Sequence, residues 1–189
     1  ERGERLAAYV EALFAEVDEA RESLPLAARP RVYLARGAAG LETALAGALN
    51  AEIIERAGGV NVADPQDARV RRGIASVSIE QVIVADPDTI VTWDPRFYAG
   101  VWNDRLWAGV DAVRQQRVYL SPTTPFGWID RPPSINRIMG LRWLPALFMP
   151  GRITIDLAAE TRRFYRLFYH VDLSDEALAA LLGRAKGPP

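Results

Sequence analysis

The chain has no cysteine and a single histidine, His170, among its 189 residues. The first absence excludes thiol nucleophiles, zinc ribbons, iron–sulfur ligation and disulfides, and it fits a reducing or an oxidising compartment equally. The second removes two-histidine metal sites and makes any serine–histidine triad depend on His170, which follows Phe168 and Tyr169 and reads as an interfacial or partly buried side chain. Charge of one sign is lacking too: Lys plus Arg number 23 and Asp plus Glu 24, a net charge of −1. No global field draws nucleic acid or an anionic membrane, and neither is expected as a partner. No apolar run reaches the roughly 18 to 20 residues that cross a bilayer. There is no G-x-x-x-x-G-K-[ST], "ARGAAG" lacks the G-x-G-x-x-G spacing, and no nucleophile elbow or glycosidase-like acid pair occurs. No catalytic residue, metal ligand or cofactor is therefore assigned.

With 49% apolar residues the chain is long enough for one well-buried domain, or one domain with an appended helix. Leu6, Val10, Leu13, Phe14, Val17 and Leu24 recur at helical spacing, which predicts a long amphipathic helix over residues 1–25, closed by Pro25. Val32 to Ala35 is a short apolar run that suits a buried parallel strand. "GLETALAGALNAEIIERAGG" then reads as one helix ending at Gly58 and Gly59. Ser78 and Gln81 have capping-box spacing before a short helix that breaks at Asp86-Pro87, and Thr89 to Trp93 forms the next strand. "QRVYLS" is a third strand. A helix follows from about Ser134 to Phe148, and two more close the chain, "IDLAAETRRFYRLFY" and "SDEALAALLG", the latter with Ser174 as N-cap. Strands alternating with helices predict an α/β fold: a three-layer α/β/α, Rossmann-like lobe with a mostly parallel sheet over residues 30–189, preceded by the long helix.

Ligands of open parallel sheets bind beyond the carboxyl ends of the strands, where loops converge. After the first strand comes Arg36 with "GAAG"; after the second, "WDPRFY" with Tyr98; after the third, "PFGWIDRPPS" with Phe126, Trp128, Asp130 and Arg131. Each feature has a plainer explanation. Phe126 and Trp128 would equally cover the end of the sheet, Arg131 would pair with Asp130 or cap a helix, and Pro125, Pro132 and Pro133 would stiffen a turn. Together, however, the prolines lower the entropic cost of holding aromatics and a guanidinium in place, as a preorganised binding surface requires.

Three stretches, "RVYLARGAAGLETALAGALNAEIIERAGGVNVA", "VSIEQVIVADPDTIV" and "VDAVRQQRVYLSPTTPFGWIDRPPSINRIMGLRWLPALFMP", resemble the C-terminal half of extracytoplasmic substrate-binding proteins of ABC importers. The likeness is to the class handling iron-siderophore complexes, haem and cobalamin, some members taking molybdate or tungstate. It implies two α/β lobes joined by a long helix, residues 1–25 being that helix or its end and residues 30–189 the C-terminal lobe. The N-terminal lobe is then absent from this chain, a leader and further sequence are expected upstream of Glu1, and dimerisation through the face left by the missing lobe is a further expectation. The resemblance also implies a periplasmic or extracytoplasmic location, a metal chelate of the ferric-siderophore, haem or cobalamin type as ligand, with a molybdate or tungstate oxyanion as the alternative, and an ABC permease as partner. The glutamate of the S-x-E-Q motif, Glu80, looks like the residue that docks on the permease. The ligand wall implied is Arg36, Tyr98, Phe126, Trp128 and Arg131. A non-enzymatic binding protein is thus expected, a protein-binding α/β module and a chelatase-like α/β enzyme being the competing classes.

Overall fold

A computed structural model of the chain describes residues 1–64, 69–71, 74–185 and 187. The first helix, α1 (Arg2–Glu22), buries Tyr9, Leu13, Val17 and Ala20 along one stripe. Leu6, Val10 and Phe14 from the expected stripe sit at its margin, half-buried. From there the chain enters a four-stranded sheet in the order β3-β1-β6-β7, built from β1 (Arg31–Ala35), β3 (Val60–Asn61), β6 (Thr89–Thr92) and β7 (Val118–Leu120). All its pairings are parallel. The central strands are apolar without alternation because both faces are covered: Val32 to Ala35 and Ile90 to Val91 are no more than 2% exposed.

On one face, α1, α2 (Glu52–Arg56), α6 (Arg137–Phe148) and α7 (Leu157–Phe164) meet in a core that includes Leu13, Val17, Leu34, Ile54, Trp128, Leu144 and Phe164. On the other, α3 (Ile79–Ala85), α4 (Pro95–Gly100) and α5 (Asp111–Arg114) pack around Tyr33, Ile79, Ile90, Phe97, Trp107 and Val118. The result is the three-layer α/β/α arrangement that the alternation of elements predicts. A short π-helical turn over Tyr165–Tyr169 extends α7, and α8 (Asp175–Leu182) closes the described fold, with the Ser174 side chain accepting from the Ala177 N–H as expected. Residues 188–189, the end of the expected lobe, lie outside the described residues.

Three expectations change. The helix read from Gly40 to Gly59 is helical only in its last third. Glu42 and Thr43 form β2, which pairs antiparallel with β5 (Ile74–Ser76), itself paired with β4 (Arg69–Arg71). The Ala/Leu-rich stretch has helical propensity, but a strand partner some thirty residues later overrides it, and Gly47 at φ +77° breaks what would be the helix middle. The helix expected from about Ser134 starts later: α6 is entered through Asn136 at its N-cap, and Ser134 Oγ accepts the Asn136 N–H at 3.2 Å. His170 is exposed, ending the π-turn in the left-handed region.

Candidate functional site

Register brings the strand ends together. Ala35 pairs with Thr92 and Thr92 with Leu120, so Arg36, Trp93 and Ser121 leave the sheet side by side along one edge. Arg36 is fixed by its backbone, which exchanges two hydrogen bonds with Glu42: its N–H donates to the Glu42 carbonyl at 2.7 Å and its carbonyl accepts from Glu42 at 3.2 Å. The "GAAG" turn behind it closes on glycine for steric reasons. Gly40 lies at φ +73°, and a Cβ there would stand 2.2 Å from the Phe97 ring. Tyr33 secures the same turn by donating to the Gly40 carbonyl at 2.9 Å.

The second strand end carries Trp93 and Asp94. Asp94 caps α4 by accepting the Arg96 N–H at 2.9 Å, with proline at the first helical position, and its carboxylate also receives the Arg96 guanidinium at 3.3 and 3.0 Å. Those bonds to Arg96 hold its carboxyl below the usual range, against the opposing effect of burial.

The third strand end is the stretch from Ser121 to Asn136, which has few regular elements and is held by individual bonds. The Trp128 N–H donates to the Pro122 carbonyl at 3.2 Å. Buried Asn136 donates to the Phe126 carbonyl at 3.1 Å and accepts from the Tyr169 hydroxyl at 2.6 Å, while Tyr165 donates to the Thr124 carbonyl at 3.3 Å. The prolines at 125 and 132 follow cis peptide bonds. Two glycines permit contacts that no other residue would: a Cβ on Gly127 would fall 1.8 Å from the Asp130 carbonyl oxygen, and one on Gly140 of α6 would fall 2.1 Å from that of Trp128.

This loop sends Asp130 inward to meet Arg36. Arg36 Nη2 and Asp130 Oδ2 are 3.3 Å apart, their side chains only 14% and 3% exposed. Arg131, exposed and held at φ +77°, places its guanidinium 4.3 Å from the centre of the Trp93 ring, and that of Arg36 lies 5.9 Å from the same ring. Its backbone N–H donates to Asp130 Oδ1 at 2.8 Å. Within this cluster Nε and Nη1 of Arg36, Nε1 of Trp93 and Oδ2 of Asp130 are buried without a hydrogen-bond partner. Buried polar groups are nearly always hydrogen-bonded, so Nε and Nη1 of Arg36 and Nε1 of Trp93 are donors with unused capacity at this strand-end edge, while Asp130 Oδ2 faces Arg36 Nη2 outside hydrogen-bond geometry.

Of the residues expected on a ligand wall, Arg36 and Arg131 come together over Trp93, and Phe126 stands 41% exposed on the same loop. Tyr98 belongs to α4; its hydroxyl donates to the Gly187 carbonyl and its ring meets Trp102 edge-on at 5.8 Å. Trp128 is a correction. It is 0% exposed and meets Trp143 in a T-shaped contact at 6.1 Å, because the tight turn at Gly127 and the close approach of Gly140 direct it into the core. The sequence places Trp93 and Asp130 at the strand ends without putting either on the ligand wall, and only tertiary pairing distinguishes them from their neighbours.

Glu80 lies elsewhere, in the first turn of α3, where Ser78 and Gln81 form the expected capping box. It is exposed, and a hydrogen bond from Ser78 lowers its carboxyl pKa. A hollow of about 360 Å³ beside it is lined by Arg31, Val62, Asp64, Gln81 and Val84. A separate cleft of about 320 Å³ between α1, α6 and α7 contains Glu16, Arg142, Glu160 and Arg163, groups that pair with one another. Among the described residues no three His, Cys, Asp or Glu side chains gather as a metal-binding set, and no helix is long and apolar enough to cross a membrane.

In an open parallel sheet, the carboxyl ends of the strands, where Arg36, Trp93 and Arg131 gather, are the place where ligands bind. The chain belongs to the periplasmic binding protein family, whose model matches residues 2–124. It is similar to an ABC transporter solute-binding protein from Sulfurospirillum deleyianum, with 35% identity and a TM-score of 0.86 over 97% of this chain and 56% of that one. It is also similar to the molybdate-binding protein MolA of Haemophilus influenzae, with 29% identity over 80% of this chain and 42% of MolA. The structure of MolA bound to molybdate aligns with a TM-score of 0.73 at 25% identity, over 91% of this chain and 52% of that one. The chain thus spans about half the length of the relatives it matches.

Proposed function

We propose that the chain is the C-terminal lobe of a two-lobed, extracytoplasmic solute-binding component of an ABC importer, and that it captures a small metal oxyanion such as molybdate or tungstate without chemical conversion. The observation that carries this reading is the Arg36–Trp93–Arg131 group at the strand ends, whose unpartnered N–H donors suit a ligand made only of oxygen acceptors. A ferric siderophore, haem or cobalamin requires broad aromatic cover. The withdrawal of Trp128 into the core, and the contacts of Tyr98 with Trp102 and Gly187, leave Phe126 as the exposed ring on this loop. Similarity to MolA supports the same preference. On this reading the facing lobe supplies the rest of the ligand shell, and Glu80 meets an arginine of the permease.

A thermal-shift series on the full-length protein tests the proposal. Molybdate or tungstate at 100 times Kd stabilises a fold by about 2.7 kcal/mol, enough to move Tm visibly. A shift with ferric siderophore, haem or cobalamin and none with the oxyanions would return the site to a chelate.

A further inference from the structure

The wall does not present two unopposed positive charges. Asp130 is almost fully buried, faces Arg36 at 3.3 Å and accepts the backbone N–H of Arg131 at 2.8 Å. The neighbouring Asp94–Arg96 pair is neutral as a unit. Arg36, Arg131 and Asp130 therefore sum to one positive charge around Trp93, and the carboxylate is at a distance where a buried ion pair is screened little by solvent. An anion seated on the free donors of Arg36 is attracted by two guanidinium groups and repelled by one carboxylate.

We propose that Asp130 is the specificity-determining residue of this site: it sets the charge of the wall and so tempers the preference for a doubly charged anion over a singly charged one of the same shape. The proposal rests on the reading of the strand-end edge as an oxyanion site. Its basis is positional. The turn closes on the Asp130 carbonyl, where only glycine at 127 fits, and it carries the carboxylate to Arg36, with Oδ2 facing Nη2 at 3.3 Å outside hydrogen-bond geometry. An aspartate placed only to anchor the guanidinium would accept its N–H groups in the bidentate geometry such pairs favour. Here one long contact is made, and Nε and Nη1 of Arg36 are left without partners. The carboxylate thus offsets charge while leaving the donors for something else.

Molybdate and perrhenate separate charge from shape, being tetrahedral oxyanions of similar size with charges of −2 and −1. Both are titrated calorimetrically into the full-length protein and into its Asp130→Asn variant, with near-ultraviolet circular dichroism reporting that the variant is folded. The proposal predicts that the variant raises the preference for molybdate over perrhenate by at least about tenfold, about 1.4 kcal/mol of discrimination. An unchanged or reduced preference would overturn it, because a residue that only holds Arg36 in place would weaken the dianion at least as much as the monoanion. A second arm needs no variant: the unsubstituted protein should prefer molybdate by less than about a hundredfold, and a larger ratio would mean that no carboxylate offsets the wall. If neither anion binds the unsubstituted protein, the oxyanion site itself is refuted, and this inference falls with it.

Discussion

Two guanidinium–carboxylate clusters, each centred on a largely buried arginine, differ in how fully that arginine is engaged. Between α1, α6 and α7, Arg142 meets Glu16 at 2.5 Å and Glu160 at 3.2 Å, and lies 5.4 Å from the centre of the Tyr9 ring. Tyr9 in turn donates to Glu160 at 3.1 Å, and Arg163 reaches the other oxygen of that carboxylate at 3.4 Å. At the strand ends, Arg36 meets one carboxylate at 3.3 Å and leaves Nε and Nη1 without hydrogen-bond partners, whereas in the first cluster Nε of Arg142 also lacks a hydrogen bond but lies 3.2 Å from Glu160. The first cluster ties a long helix to the body, and its charges are matched within the lobe. In the second, donors are left over at the place where parallel sheets receive ligands. On the proposed function, that difference, more than the presence of arginine, is what would separate a structural network from a binding wall.

The sharpest way to break the comparison is to loosen the loop that builds the second cluster. Gly127→Ala should cost more than about 3 kcal/mol, because a methyl group cannot occupy the space of a carbonyl oxygen, and Trp128→Ala should cost about 3 to 5 kcal/mol as a core truncation. Chemical denaturation checks both. Trp128→Ala leaving stability unchanged while abolishing ligand binding would place the ring on the ligand after all.

Arg142→Met and Arg36→Met probe the clusters directly. The first should lower stability, by up to about 3 to 5 kcal/mol if Glu160 is left uncompensated, with ligand affinity in the folded fraction unchanged. Arg36→Met should lower affinity for molybdate at least about tenfold. Equal effects of the two substitutions on affinity would erase the distinction.

Smaller effects sharpen it further. Asp94→Ala should cost about 1 kcal/mol through the lost cap of α4. The carboxyl of Asp94 has a lowered pKa in the fold, so its contribution is fully present above the unfolded-state value near about 3.9 and is lost as pH falls through the lower folded value. Asp94→Asn should therefore flatten the acid limb of a stability–pH curve below about pH 4, and an unaltered limb would show that Arg96 does not stabilise the carboxylate. Glu80→Lys, at an exposed position, should change stability by no more than about 0.5 kcal/mol and spare ligand affinity while impairing transport. Lost affinity with transport-complex docking intact would refute the docking role.

Much of the fold was legible because its signals are local. The box at Ser78 and Gln81, the cap at Ser174 and the apolar runs of β1, β6 and β7 are each written within a few residues and appear where expected. The β2-β5-β4 sheet was not legible, since its strands are two or three residues long and β2 finds its partner β5 some thirty residues further along the chain. The site divides in the same way. That Arg36 and Arg131 flank strand ends follows from strand assignment alone. The inward turn of Trp128 and the pairing of Asp130 with Arg36 depend on Gly127, which lets the loop close on the Asp130 carbonyl, and on Gly140 of α6, whose approach to the Trp128 carbonyl no local pattern reveals.

The most direct test is a calorimetric titration of molybdate into the full-length protein beside its Arg131→Ala variant, since Arg131 is exposed and its truncation should leave the fold intact. Saturable binding that weakens at least about tenfold in the variant is the predicted result. Binding of equal strength in both proteins, or no binding in either, would contradict the assignment of the Arg36–Trp93–Arg131 group as the oxyanion wall.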